Sequence, residues 1–437
     1  MKKYNTIILG AGVTGLAAGL SSKCPVFEAL NNPGGICGSY YIKPQDSQRQ
    51  INCPPDGEAY RFEYGGGHWI FGGDSAVLQF MHSLTPFKSY KRSSSVYFQE
   101  QDLYVPYPIQ NHLSYLGKDI AAKALAEITS AVTKNPQTLA DWLHKNFGKT
   151  LTDLFFAPFH ELYTAGLWTE IIPQDAYKSP VNLSAVIQGA FDSTQPVGYN
   201  TTYIYPVEGL NTLVQRMAAL CDVQYGKKVE HINVKSKEVF FADGTSVQYE
   251  KLISTLPLNR IMQMAKMEIE AEPDPYTSVL VLNIGATKGS KCPDEHWLYI
   301  PYSQSGFHRV GFYSNVDKSF LPVSSRVNSD RVSIYVEKAY RGSAKPTNSE
   351  VINYSKTVVE ELRSWGFIQE AEVVDPTWID VAYTWSWSSS PWKQQALNLL
   401  EENDIYPVGR YGRWVFQGIS DSIKDGFIIG TSFKNYQ

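Results

Sequence analysis

The sequence predicts an α/β protein with a discontinuous Rossmann-like dinucleotide-binding domain, a helical insertion and an antiparallel β-sheet domain. Three observations carry this reading. Tyr4–Leu9 (YNTIIL) has the composition of a short buried strand and runs into Gly10-Ala11-Gly12-Val13-Thr14-Gly15, then into the helix-forming LAAGL. From Asp119 to Val132 the chain is alanine-rich with apolar residues at helical spacing. Between residues 278 and 340 the segments SVLVLNIGA, HWLYIP, RVGFYS and RVSIYVE alternate as strands of an antiparallel sheet do.

The opening glycines have distinct tasks. Gly10 permits the tight turn after the strand, Gly12 lets the backbone approach a pyrophosphate, and Gly15 lets helix and strand pack closely. Val13 and Thr14 open the helix whose positive end faces the phosphates. A second strand, Pro25-Val26-Phe27, ends in Glu28, where a carboxylate can accept hydrogen bonds from both ribose hydroxyls. A further glycine turn follows, Asn32-Pro33-Gly34-Gly35-Ile36-Cys37-Gly38-Ser39. NAD domains lack it and FAD proteins usually have it, so the expected cofactor is FAD, with Gly35 and Ser39 among its contacts.

At 437 residues the chain is too long for one simple core and is expected to form two or three interleaved units. A net charge of −4 points away from nucleic acid and from an anionic membrane surface. Five cysteines without metal spacing predict neither a metal site nor a disulfide framework and fit a reducing compartment. No apolar run is long enough to span a bilayer, so the expected location is the cytoplasm.

The pattern divides into residues 1–75, 202–265 and 395–437 for the cofactor domain, 76–201 for a mostly helical substrate or cap domain, and 266–394 for the antiparallel sheet. Pro136 to Leu143, Leu210 to Leu220 and Glu350 to Trp365 read as helices. Val229–Ile232, Glu238–Phe241 and Ser246–Gln248 read as strands, with Asp243-Gly244 as a hairpin turn and Leu252–Thr255 as the next strand. Backbone near Val229 is expected to meet the adenine.

Several blocks, in order, resemble the UDP-galactopyranose mutases within the amine oxidase and protoporphyrinogen oxidase group. Phe62-Glu63-Tyr64-Gly65-Gly66-Gly67-His68-Trp69-Ile70-Phe71 resembles that family's G-G-H-x-I-F loop beside the flavin. Val105-Pro106-Tyr107-Pro108-Ile109-Gln110-Asn111 resembles its V-P-Y-P-F-Q-N segment, and Phe307-His308-Arg309 with Ser314-Asn315 resembles its F-Y-R…S-N strand. Tyr205-Pro206-Val207-Glu208-Gly209-Leu210 and Val408-Gly409-Arg410-Tyr411-Gly412-Arg413-Trp414 resemble its return strand and its G-R-F-G-x-W flavin motif. The likeness runs over nearly the whole chain.

That resemblance implies an isomerase that interconverts the pyranose and furanose forms of a nucleotide sugar, UDP-galactose or a relative. The anomeric carbon would bond to N5 of reduced FAD, and NAD(P)H is a candidate reductant. It implies Gly66, Gly67, His68, Gly409, Arg410, Asp421 and Ser422 as cofactor contacts, and His68, Arg309 and Lys178 as catalytic residues. Tyr107, Ile109, Gln110, Asn111, Tyr177, Trp387 and Phe416 would join Arg309 at the substrate, and the family allows a homo-oligomer. This chain departs from the family at anion contacts. Val316 and Phe416 stand where the family has tyrosines, no arginine precedes Ser39, and Lys178 is the cation nearest the place of a second arginine. Two other readings keep the same fold: an oxidase of the amine or porphyrinogen type, and a non-catalytic or flavin-independent binder of nucleotide sugars.

Overall fold

The computed structural model describes residues 2–130, 135–173, 182–191, 201–342 and 344–434. Strand Lys2–Leu9 lies inside a seven-stranded sheet, parallel to Val26–Phe27 on one side and to Ser246–Ser254 on the other. Ile7, Ile8 and Leu9 are fully buried, as a strand covered on both faces requires. Val229–Asn233 and Glu238–Phe241 add an antiparallel hairpin, and Ile405–Pro407 pairs in parallel with residues 252–254. Residues from the beginning, middle and end of the chain therefore share one sheet. The segments expected as two strands, 246–248 and 252–255, form one continuous strand. Exposed Glu250 breaks the apolar pattern without breaking the ladder.

Helix Val13–Ser22 packs on helix Ile419–Phe433 at very short range. A Cβ on Gly426 would lie 2.2 Å from the Thr14 carbonyl oxygen, and one on Gly430 would lie 2.1 Å from Ser21 Oγ. These two glycines bring the start of the last helix beside the start of the first.

The second seven-stranded sheet runs in the order 368–384, 276–288, 331–341, 309–312, 297–299, 94–98, 103–106. Its last two strands come from the segment read as mostly helical. There Trp297–Tyr299 pairs in parallel with Ser94–Phe98, while the other neighbours are antiparallel. One face buries Leu280, Leu282, Ile334 and Val336 against helix Asn348–Ser364 through Val358 and Leu362. The helix expected from Pro136 begins at Leu139 instead, because Thr138 caps it by accepting from Asp141 N–H. It continues to Leu151, with Gly148 at φ 71, and passes through a π-helical turn, Thr152–Phe156, into helix Ala157–Tyr163.

Candidate active site

A single cleft of about 1140 Å³ extends from the glycine fingerprint, between the two sheets, to the helical segment. That exceeds the usual range for one small-molecule site, roughly 300–1,000 Å³.

At the fingerprint end, Gly10 turns at φ 95 and a Cβ on Gly15 would strike its carbonyl oxygen. A Cβ on Gly12 would meet no protein atom within 4 Å, so the space before the first helical turn is open. The first N–H groups of that helix have no partner within the helix and face an anion best. Glu28 Oε2 accepts from Ala11 N–H at 2.6 Å and Oε1 from Leu30 N–H at 2.9 Å. Each oxygen keeps a further acceptor site. Gly10, Gly12, Val13, Thr14, Glu28 and Gly35 all line the cleft, as do Asp421 and Ser422 at the start of the last helix. These residues fit the ADP half of a dinucleotide.

Beyond this cradle, the glycine loop brings Gly67 and His68 to the wall. Burial, and next the Arg410 guanidinium, push His68 down to about 4, so the ring is neutral at pH 7. Arg410 directs Nη1 to the Gln417 carbonyl and Nη2 to the Ala382 carbonyl, both at 3.2 Å. Its guanidinium lies 4.3 Å from the Phe416 ring centre and 5.5 Å from that of Tyr383. Arg309 reaches the same place from the second sheet. Its Nη2 donates to both Glu337 oxygens and, at 3.5 Å, to the Tyr383 hydroxyl. Burial tends to raise the Glu337 carboxyl, but Arg309 and His308 outweigh it and hold it at about 2. Burial and Glu337 push Tyr383 up to about 12, so it stays a hydroxyl.

The far end is aromatic. Tyr107 and Tyr299 have ring centres 4.4 Å apart, and Phe159 meets Tyr299 edge-on at 5.6 Å. Phe155, Phe159 and Tyr163 reach the cleft from the π-helical turn and the helix after it, and His308 lies against Tyr163. π-helical turns concentrate at functional sites because they re-aim side chains.

Not every residue expected at the site lines the cleft. Ser39 is buried and donates to Glu63 Oε1, which satisfies it within the protein. Gly66 and Gly409 sit one layer behind; a Cβ on them would strike Glu337 Oε1 and Thr14 Oγ1 respectively. Val229 is a core residue of the first sheet. Ile109, Gln110 and Asn111 are buried in a short helical turn, and helix Leu183–Phe191 packs so closely there that a Cβ on Gly189 would lie 1.9 Å from the Asn111 carbonyl oxygen. Trp387 donates to the Pro273 carbonyl away from the cleft. Tyr177 and Lys178 lie outside the described residues. Tyr107, Arg309, Arg410 and Phe416 do line the cleft.

Sequence reasoning assigned no role to Tyr383, Tyr299, Phe159, Tyr163, His308 or Arg49, which line the same cleft. Arg49 is held by Asp375 and Thr377 and lies 4.6 Å from the Tyr40 ring centre. No local pattern marks Arg49. The π-helical turn was signalled only by its run of aromatic residues.

Fold and cradle together define a dinucleotide-binding protein. A family profile for flavin-containing amine oxidoreductases matches residues 11–283, and the chain belongs to that family. A flavin cofactor follows from that membership. Among solved structures, a reduced UDP-galactopyranose mutase is similar over 98% of this chain and 94% of its own, with 21% identity and a TM-score of 0.80. A protein from Exiguobacterium sp. 255-15, provisionally assigned as a protoporphyrinogen oxidase, matches over 100% and 99% with 11% identity and a TM-score of 0.70. A putrescine oxidase bound to putrescine matches over 98% of both chains with 15% identity and a TM-score of 0.56. Identities this low speak for the shared fold. Among the described residues, no helix is long and apolar enough to cross a membrane.

Proposed function

We propose that this protein is a mutase that interconverts pyranose and furanose forms of a nucleotide sugar, UDP-galactose or a relative, with reduced FAD as its cofactor. One observation carries the proposal: the cleft that begins at the dinucleotide cradle continues past His68 to Arg309, Tyr383 and Arg410. Reduced flavin, when bound, supplies the nucleophile for the anomeric carbon.

The chain's own residues then have separate tasks. In this reading Arg309 and Arg410 hold a diphosphate as it leaves and as it returns. The Tyr383 hydroxyl accepts from Arg309, so its own proton is free to turn to a phosphate oxygen. Neutral His68 can donate or accept without adding charge beside the ring system. Tyr107, Tyr299 and Phe159 offer ring faces for a base or a sugar and displace water from the far end.

The decisive experiment incubates UDP-galactose and other nucleotide sugars with dithionite-reduced, FAD-loaded protein and separates the products by chromatography. Furanose product is expected, with NAD(P)H tested as the physiological reductant. No conversion of any nucleotide sugar would overturn the proposal. Family membership and the apolar wall of Phe155, Phe156 and Phe159 favour a second reading, a flavin oxidase. It predicts bleaching of the oxidised flavin on mixing with an amine or a porphyrinogen, with no added reductant.

A further inference from the structure

Glu337 is 2% exposed and stands opposite Arg309 in the register of the second sheet. Its two oxygens accept from Arg309 Nη2 at 2.6 and 2.5 Å. Oε2 also lies 3.6 Å from Nε2 of His308, a buried ring on the cleft wall. On its other side the carboxylate touches the glycine loop, since a Cβ on Gly66 would come within 2.7 Å of Oε1. One carboxylate thus contacts the strand that carries Arg309, the buried His308 and the loop that carries His68.

The bonding is one-sided. Among the described residues, the hydrogen bonds of the Arg309 side chain leave from Nη2, while its buried Nε finds no partner. The guanidinium is pinned by one corner and its charge is matched by a carboxylate in direct contact. An anion arriving at Arg309 therefore meets directed N–H groups on a pair of near-zero net charge. In a poorly solvated site such a carboxylate opposes the anion almost as strongly as the guanidinium attracts it.

We propose that Glu337 is a positioning residue that sets both the orientation of Arg309 and its effective charge. Anion recognition at Arg309 then selects by geometry, and release of the anion stays easy. This rests on the reading of Arg309 as the contact for a diphosphate.

The test uses FAD-loaded protein with Glu337→Gln, which keeps shape and removes charge, and Glu337→Asp, which keeps charge and withdraws the contact. UDP and inorganic pyrophosphate are titrated into each by calorimetry at several salt concentrations. For Glu337→Gln, pyrophosphate should bind about fivefold tighter at low salt. Its salt dependence should steepen by about one charge, and the preference for UDP over pyrophosphate should shrink. For Glu337→Asp, the salt dependence should stay as in wild type while UDP binds about fivefold more weakly. A residue with only a structural role would weaken both probes in both variants and leave the salt dependence alone, which overturns the proposal. So does UDP affinity within about twofold of wild type in Glu337→Asp, the variant that decides if Glu337→Gln does not load FAD. If pyrophosphate behaves as expected but UDP never binds, the nucleotide-sugar reading fails and the role of Glu337 stands. If neither probe binds wild type, both fail.

Discussion

A Cβ on Gly15 would lie 1.9 Å from the carbonyl oxygen of Gly10, while one on Gly12, between them, would meet no protein atom within 4 Å. The first relationship is internal to the protein. The second leaves room for something that the protein does not supply. One fingerprint thus holds a packing glycine and a ligand glycine, and substitution separates them.

Gly15→Ala should destabilise the apoprotein by about 1–3 kcal/mol, because the backbone of the turn has to move. Gly12→Ala should leave apoprotein stability within about 0.5 kcal/mol of wild type. It should nevertheless reduce FAD loading, since the methyl group occupies the approach to the phosphates. Thermal melts of apoprotein and the flavin absorbance of reconstituted protein check both. Full flavin loading of Gly12→Ala would contradict the cradle.

The cofactor half of the site was legible in the sequence because it is built from local backbone geometry. Gly10, Gly12 and Glu28 sit within one strand–helix–strand unit, and that pattern alone places them at one point. The other half was less legible. Arg309 was found, but Glu337 was not, because their meeting depends on the register of two strands 28 residues apart. Ser39 was assigned to the cofactor, yet its hydroxyl meets Glu63 across a hairpin that spacing does not reveal. Gln110 and Asn111 were expected at the substrate from the family's motif, yet both are buried. A glycine on a distant helix lets that helix close over their backbone.

Tyr383 connects the two arginines, accepting from Arg309 while its ring lies near Arg410. Tyr383→Phe removes one oxygen and leaves the ring packing in place. A hydrogen bond to a charged group contributes roughly 1.5–3 kcal/mol. UDP should therefore bind more weakly by about tenfold to a hundredfold, with FAD content unchanged. Titration of UDP into the FAD-loaded variant checks this. Affinity equal to wild type would show that the hydroxyl does not face the diphosphate.

Phe416 packs against the Arg410 guanidinium where the resembling family has a tyrosine. Phe416→Tyr adds a hydroxyl on the cleft wall. If the cleft takes a diphosphate there, UDP affinity should rise by about threefold, a gain of roughly 0.5–1 kcal/mol for an added hydroxyl that first gives up its water. The same calorimetry measures it, and a loss of affinity would place the diphosphate elsewhere along the cleft.

A buried carboxyl and a half-buried histidine near the glycine loop make stability depend on pH with opposite signs. Burial raises the Glu63 carboxyl from 4.5 to about 7, although Tyr205, Arg61 and Ser39 oppose the rise. The folded chain then holds a proton that the unfolded chain gives up. Its contribution is complete below pH 4.5 and is lost as pH rises through 7. His68 runs the other way. Burial, and then Arg410, lower it from 6.5 to about 4. Between these values the unfolded chain takes a proton that the folded chain refuses, so this contribution is complete above pH 6.5 and is lost as pH falls through 4. In wild type the two slopes partly cancel between pH 4.5 and 6.5. Glu63→Gln should unmask the histidine, so that the apoprotein becomes more stable on going from pH 4.5 to 6.5, by on the order of 1 kcal/mol. His68→Gln should unmask the carboxyl and reverse that trend by a similar amount. Denaturant melts across this range read both slopes, and parallel profiles for the two variants would show that neither group titrates where its surroundings place it.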